Sequence, residues 1–204
     1  MLKNIIFDLG NVLIDIDFPR SEQALTALLG DDLLEKLKQN KQENLFYEFE
    51  KGNVSEDFFI KTLQSLGENI SEQQIKDAYN AMLIGFKPER FEMLKRLAKK
   101  YTLYVLSNTN KMHIDWVHQH LEKDLNIRNY EAQYFKTVYY SHEIHLRKPD
   151  IEIYEYVLQN AGLKAEETLF IDDNYDNIVT AQSIGIQVIH HELGNEIVER
   201  LRNF

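Results

Sequence analysis

Three short stretches of this chain end apolar runs with side chains able to do chemistry, and a fourth places a lysine at the mouth of a helix. Asp8 directly follows Ile5, Ile6 and Phe7, and Asp172 with Asp173 closes the run from Thr168 to Ile171. Ser107 and Asn108 close the run Leu103 to Leu106, while Lys148 lies in Arg147-Lys148-Pro149-Asp150. A carboxylate at the edge of an apolar strand is costly to bury unless it has a partner. Taken alone, Asp8 fits a helix cap or turn as well as a catalytic role. Two neighbouring acids repel each other, and a divalent cation relieves that repulsion. An acid pair capping one helix would be redundant, so Asp172 and Asp173 favour a metal site, and with Asp8 they make an oxygen-rich set suited to magnesium. Ser107 and adjacent backbone N–H groups could hold phosphate oxygens, although a plain strand-to-helix turn accounts for the Ser-Asn-Thr-Asn composition more economically. Lysine is ordinarily solvated. One fixed beside Pro149 could instead neutralise both a nucleophilic carboxylate and a phosphoryl group.

The elements that must position these residues alternate in type. Residues 4–9 are predicted as a buried strand, with further strands over 102–107, 135–140, 168–172 and 186–190. Helices are expected after Pro88, over 111–124, from an Asp150 cap to Gly162, over 176–184 and from about 195. Residues 21–86 are predicted as helices throughout, with no strand signal. Ser21, Asp31 and Ser55 are expected as caps, and Ser71 with Gln74 forms a capping-box pattern. The result is an α/β fold: a Rossmann-like, doubly wound parallel sheet formed by 1–15 plus 87–204, with a helical cap, 16–86, inserted after the first strand. Ligands of such sheets bind beyond the carboxyl ends of the strands, where the polar residues gather.

Bulk properties narrow the partners. The 204 residues carry 23 Lys and Arg against 33 Asp and Glu, a net charge of −10. That balance argues against nucleic acid or an anionic membrane as partner, but permits a small anionic substrate at a locally positive site. There is no cysteine, which excludes disulfides and thiolate chemistry and fits a reduced, cytoplasmic setting. No signal peptide or membrane span can be built from the N-terminal residues. Oligomeric state is not legible.

Together the four stretches resemble the four motifs of the haloacid dehalogenase superfamily. Phe7-Asp8-Leu9-Gly10-Asn11-Val12-Leu13 resembles the first, Leu106-Ser107-Asn108-Thr109 the second and Arg147-Lys148-Pro149-Asp150 the third; Phe170-Ile171-Asp172-Asp173-Asn174, with Asn177, resembles the fourth. The order fits over essentially the whole chain, and the insert resembles the family's small α-helical cap. The Phe-Asp-Leu-Gly-Asn-Val form of the first motif is similar to a subgroup containing α-glucose-1-phosphate phosphatases. The resemblance implies a magnesium-dependent phosphatase acting on a small phosphorylated metabolite, a sugar phosphate, through an aspartyl-phosphate. It implies Asp8 as nucleophile, and magnesium held by Asp8, the Gly10 carbonyl, Asp173 and Asp172, the last directly or through water. Ser107, the Asn108 backbone and Lys148 would take the phosphoryl oxygens, and Arg20 could add a substrate contact from the cap hinge.

Two positions depart from the family pattern. Relatives that act as phosphatases carry a second aspartate two places after the nucleophile, as acid and base; here that place is Gly10, leaving Asp15 or Asp17 as possible substitutes. The loss would cost roughly 10²–10⁴-fold in rate and would favour substrates with good leaving groups, such as anomeric phosphates. His145 stands where glycine is usual. The other histidines show no metal-ligand spacing and are expected at the surface or in packing. Gly10 also keeps open a metal-independent 2-haloacid dehalogenase, which needs no second aspartate, and a non-catalytic phosphometabolite-binding relative.

Overall fold

A computed structural model describes residues 1–42 and 44–204. The chain begins with β1 (Asn4–Phe7), entirely buried, and turns into β2 (Ile14–Ile16). Five helices follow: α1 (Phe18–Leu29), α2 (Leu33–Gln39), α3 (Leu45–Glu50), α4 (Glu56–Gln64) and α5 (Glu72–Asn80). The chain returns through β3 (Leu83–Phe86) to α6 (Pro88–Leu97), β4 (Thr102–Ser107) and α7 (Lys111–Leu125). Then come α8 (Tyr130–Tyr134), β5 (Thr137–Tyr140), α9 (Ser141–Ile144) and α10 (Ile151–Ala161). The chain closes with β6 (Thr168–Asp172), α11 (Tyr175–Ser183), β7 (Gln187–His190) and α12 (Ile197–Arg200).

Five strands form one parallel sheet in the order β5-β4-β1-β6-β7. β1 is central, so its Ile5, Ile6 and Phe7 face apolar layers on both sides, and that explains the unbroken apolar run. One layer is built on Ile5, Phe7, Val105 and Ile171, the other on Ile6, Leu106, Tyr154 and Phe170. The α1–α5 segment has a separate apolar cluster around Leu25, Phe49, Phe59, Leu63 and Ile75, sealed against the core by Met112 of α7. Phe49 and Phe59 stack at 4.2 Å within it. Among the described residues no helix is long and apolar enough to cross a membrane.

The structure corrects several sequence expectations. The insert is not strand-free: β2 and β3 pair antiparallel, Ile14 with Phe86 and Asp15 with Gly85, and make a two-stranded ribbon between sheet and helices. At three or four residues each, these strands are too short to display alternation. The first helix begins at Phe18, not at Ser21, because Pro19 suits a first helical turn. Ser21 therefore lies inside α1, where its hydroxyl donates to the Tyr79 carbonyl at 3.0 Å. Asp150 precedes α10 without a side-chain cap bond, and its carboxylate lies 3.7 Å from Lys51. The capping box of Ser71 and Gln74 forms as expected. Short α8 and α9 flank β5, so the strand expected from 135 starts at Thr137.

One ion cluster fastens the ribbon to the C-terminal segment. Arg90, only 3% exposed, donates to Asp15 at 2.7 Å, to Glu196 at 2.9 Å and to the Leu13 carbonyl at 3.1 Å. Lys87 joins Glu196 at 2.6 Å. Removing a buried ion's partner leaves an uncompensated charge, so Arg90→Met should cost about 3 kcal/mol, read as a fall of roughly 6–12 °C in melting temperature. Burial resists the Glu196 charge, but Arg90 and Lys87 prevail and hold its carboxyl down to about 2. A depressed carboxylate stabilises above its unfolded pKa, so this contribution should disappear as pH falls from about 4.5 towards 2, and less steeply in Arg90→Met. Thermal scans across that range check both expectations.

Candidate active site

The carboxyl ends of β1, β4 and β6 converge on one cleft of about 190 Å³. Asp8 follows β1 immediately, and its N–H donates to the Ile171 carbonyl at 2.8 Å, which carries the sheet pairing one residue further. Ser107 ends β4, and Asp172 ends β6. Asp8, Gly10, Ser107, Asn108, Lys148 and Asp173 all face this space.

Lys148 is the hub. It is 1% exposed, and its Nζ donates to Asp8 Oδ1 at 2.8 Å, Asp172 Oδ2 at 2.6 Å and the Leu106 carbonyl at 2.9 Å. An ammonium has three protons, so its donors are fully used. Burial pushes its pKa down, but Asp172 and Asp8 outweigh burial and hold it above the ordinary lysine value. Burial drives the Asp8 carboxyl the other way, upwards; Lys148 opposes the shift, and the neighbouring Asp172 adds to it. A second cation would relieve that strain.

The loop carrying Lys148 is held by Asn108. Its amide donates to the Lys148 carbonyl at 2.8 Å and accepts from the Lys148 N–H at 2.9 Å.

The two adjacent acids have different work. Asp172 is fully buried, and its oxygens accept from Lys148, from Asn177 Nδ2 at 3.0 Å each and from the Asn174 N–H at 2.8 Å. Asp173 is not the helix cap: Asn174 caps α11, accepting from the Asp176 and Asn177 N–H groups. Asp173 instead accepts from Asn11 Nδ2 at 2.9 Å. Oxygens of Asp8, Asp172 and Asp173 lie within 4.8 Å of one another. This donor set fits a hard divalent cation, with Asp8 and Asp173 keeping the freer oxygens.

Gly10 lines the cleft with no side chain, and a Cβ built there would meet Ile16 Cδ1 at 2.8 Å. Neither expected substitute takes its place. Asp15 is spent on Arg90 and Asp17 on an exposed pair with Arg20 at 3.0 Å, and none of Asp15, Asp17 and Arg20 lines the cleft. The expected substrate contact from Arg20 is thus not supported. The cation that does reach the cleft from outside the centre is Arg147, paired with Glu50 of the insert at 3.0 Å. His145, at φ +56°, keeps the left-handed backbone suited to glycine and places its Nδ1 at 3.1 Å from the Lys51 carbonyl.

Sequence reading missed Asn11, Glu50, Arg147 and His113 as cleft residues. Asn11 carried one usable signal, because asparagine tolerates the left-handed turn (φ +54°) expected after a strand.

The sheet, the lysine-bound carboxylate and the acid pair define a Rossmann-like hydrolase core. The chain belongs to the haloacid dehalogenase-like hydrolases, whose family pattern it matches over residues 2–185. It is 31% identical over 199 residues to D-ribitol-5-phosphate phosphatase of Bacteroides thetaiotaomicron, covering 95% of this chain and 94% of that one. A haloacid dehalogenase family enzyme from the same organism superposes with TM-score 0.89 at 30% identity over 99% of both chains. Its complex with magnesium and inorganic phosphate gives 0.86, covering 98% of this chain and 99% of that one. A HAD-like family hydrolase from Porphyromonas gingivalis gives 0.86 at 31% identity, covering 100% and 99%.

Proposed function

We propose that this protein is a magnesium-dependent phosphatase of a small sugar or polyol phosphate, working through an aspartyl-phosphate on Asp8. The observation that carries the reading is the Asp8–Asp172–Asp173 group, within 4.8 Å, joined to the buried Lys148. Asp8, Asp173 and the Gly10 carbonyl would hold magnesium, with Asp172 acting through water or through Lys148. The bound ion supplies charge neutralisation to the phosphoryl group. Lys148 pins Asp8 Oδ1 and keeps positive charge beside it. Asp8 attacks phosphorus, the ester P–O bond breaks, and the alcohol leaves with a proton from solvent. Water then hydrolyses the acyl phosphate, returning Asp8 and releasing phosphate. Ser107 and the Asn108 N–H orient the phosphoryl oxygens. Residues 16–86 serve as the cap that closes over this chemistry.

The ribitol-phosphate relative supports a polyhydroxylated substrate. Gly10 points, within that class, to anomeric phosphates, whose alcohol leaves more readily. Gly10→Asp tests the point, since a Cβ at this position meets only the tip of Ile16 closely. Turnover of a sugar 6-phosphate should rise at least about tenfold, a fraction of what a positioned acid can supply, while a sugar 1-phosphate gains less. Equal changes on both esters would separate Gly10 from leaving-group chemistry.

The deciding experiment is a screen of phosphorylated metabolites with magnesium. Dialysis against chelator should reduce turnover at least about 10²-fold, and magnesium should restore it. Halide release from a 2-haloacid that persists in chelator would sink the phosphatase reading and install the dehalogenase one.

A further inference from the structure

The cleft that holds the carboxylates is also lined by a histidine that the proposed chemistry does not use. His113 sits in the first turn of α7 and is 7% exposed. Its ring stacks on Tyr79 of α5 with centroids 4.4 Å apart. Tyr79 is itself buried, and its hydroxyl accepts from Asn110 Nδ2 at 3.2 Å. Asn110 in turn caps α7, with its Oδ1 accepting the His113 N–H at 3.1 Å. The imidazole is therefore held on its face and along its backbone before any ligand arrives.

The second ring contact fixes the proton. His113 Nδ1 lies 2.8 Å from Asn80 Oδ1. An amide oxygen only accepts, so Nδ1 carries the hydrogen and Nε2 presents a lone pair. Nε2 has no protein partner among the described residues. No buried side-chain nitrogen or oxygen among them lacks one, so this atom must open onto accessible space, and the cleft is the cavity His113 lines. Burial keeps the imidazole neutral, pushing its pKa down to about 3, so the lone pair persists at physiological pH. Glu50, which also lines the cleft, already accepts from Arg147.

We propose that His113 Nε2 is a preorganised acceptor that reads a hydroxyl of the substrate's polyol portion, making His113 a specificity-determining residue. This rests on the phosphatase reading only for the identity of the ligand's other end. A rigid acceptor that a bound ligand cuts off from water discriminates strongly against a ligand that brings no donor, because it would then be left unpaired.

The test compares D-ribitol 5-phosphate, rich in hydroxyls, with para-nitrophenyl phosphate, which has none. His113→Phe preserves the stack on Tyr79 and removes the acceptor. Its kcat/KM should fall more on the polyol phosphate than on the aryl ester, by a margin of at least about tenfold. Equal losses on the two esters, or no loss on either, would overturn the proposal. If the wild type hydrolyses neither ester, the metabolite screen still judges the phosphatase reading, and calorimetry decides this one separately. His113→Phe should then weaken D-ribitol 5-phosphate at least about fivefold more than inorganic phosphate. Undiminished affinity, or no binding of the polyol phosphate by the wild type, would refute the subsite. Should that variant not fold, Asn80→Leu frees Nδ1 and should shift the same two ratios in the same direction, by a smaller factor; unmoved ratios would again count against the proposal.

Discussion

Asp8→Asn is expected to abolish phosphate-ester turnover, with a loss on the order of 10⁴–10⁶-fold, comparable to removing the nucleophile of other covalent hydrolases. The substitution is nearly isosteric, and the amide oxygen it introduces could still accept from Lys148. What disappears is a carboxylate able to attack phosphorus and one charge of the Asp8–Asp172–Asp173 trio. The fold should not suffer. In the wild type, burial and Asp172 already disfavour the Asp8 charge, so losing it relieves repulsion. Asp8→Asn should melt no lower than the wild type in chelator, and magnesium should raise its melting temperature less. Residual turnover equal to the wild type in purified protein would place the nucleophile elsewhere or point to a binding protein. Steady-state assays beside thermal scans, with and without magnesium, provide both readouts.

Lys148→Met should damage both activity and stability. Lys148 is the cation shared by Asp8 and Asp172, and it also satisfies the Leu106 carbonyl. Breaking a buried pair from one side costs about 3–5 kcal/mol, so denaturant unfolding in chelator should move by roughly that amount. Loss of one fixed positive group beside a developing phosphoryl charge should lower kcat about 10²–10³-fold. Magnesium should recover part of the stability, because it supplies positive charge to the same carboxylates, but not the lysine's hydrogen bonds. Lys148→Arg should not rescue: a guanidinium is larger and planar, and the enclosed site was shaped around three ammonium donors. Full activity in Lys148→Met would remove the lysine from the centre.

How much of this was legible in the sequence depended on the length scale of each signal. The sheet was readable because β1, β4 and β6 are buried on both faces and so carry unbroken apolar runs. The carboxylates and Ser107 of the centre were readable because each sits beside such a run, at the end where the strand stops, whereas Lys148 was marked only by Pro149 and the helix that follows. The ribbon of β2 and β3 was invisible because it pairs residues about 70 apart in sequence through only a few backbone bonds. The substrate contact expected of Arg20 is not supported, and the place of His113 beside the cleft, beyond the packing expected of it, carried no signal, for a related reason. Whether a polar side chain points into a cleft or into solvent is set by where a helix lands, and the local sequence of α1 and α7 does not encode that. The capping of α11 shows the reverse case: Asn174 sits next to Asp173 and takes the cap, which leaves the acid free.

The insert meets the core at a second place besides the ribbon. Ser141 Oγ donates to the Glu50 carbonyl at 2.5 Å, His145 lies against Lys51, and Arg147 grips Glu50. Gly52, at φ +71°, packs so closely that a Cβ there would fall 2.1 Å from the His142 carbonyl oxygen. A segment fastened at both ends cannot swing freely on one of them. An anion arriving in the cleft meets Arg147 already held by Glu50 at Nε and by the Lys148 carbonyl at one terminal nitrogen, and it shares a guanidinium whose other N–H groups those two bonds do not use. Ligand capture and the closed seam thus draw on one cation, so an anion bound there weakens the hold on Glu50 without requiring that pair to break.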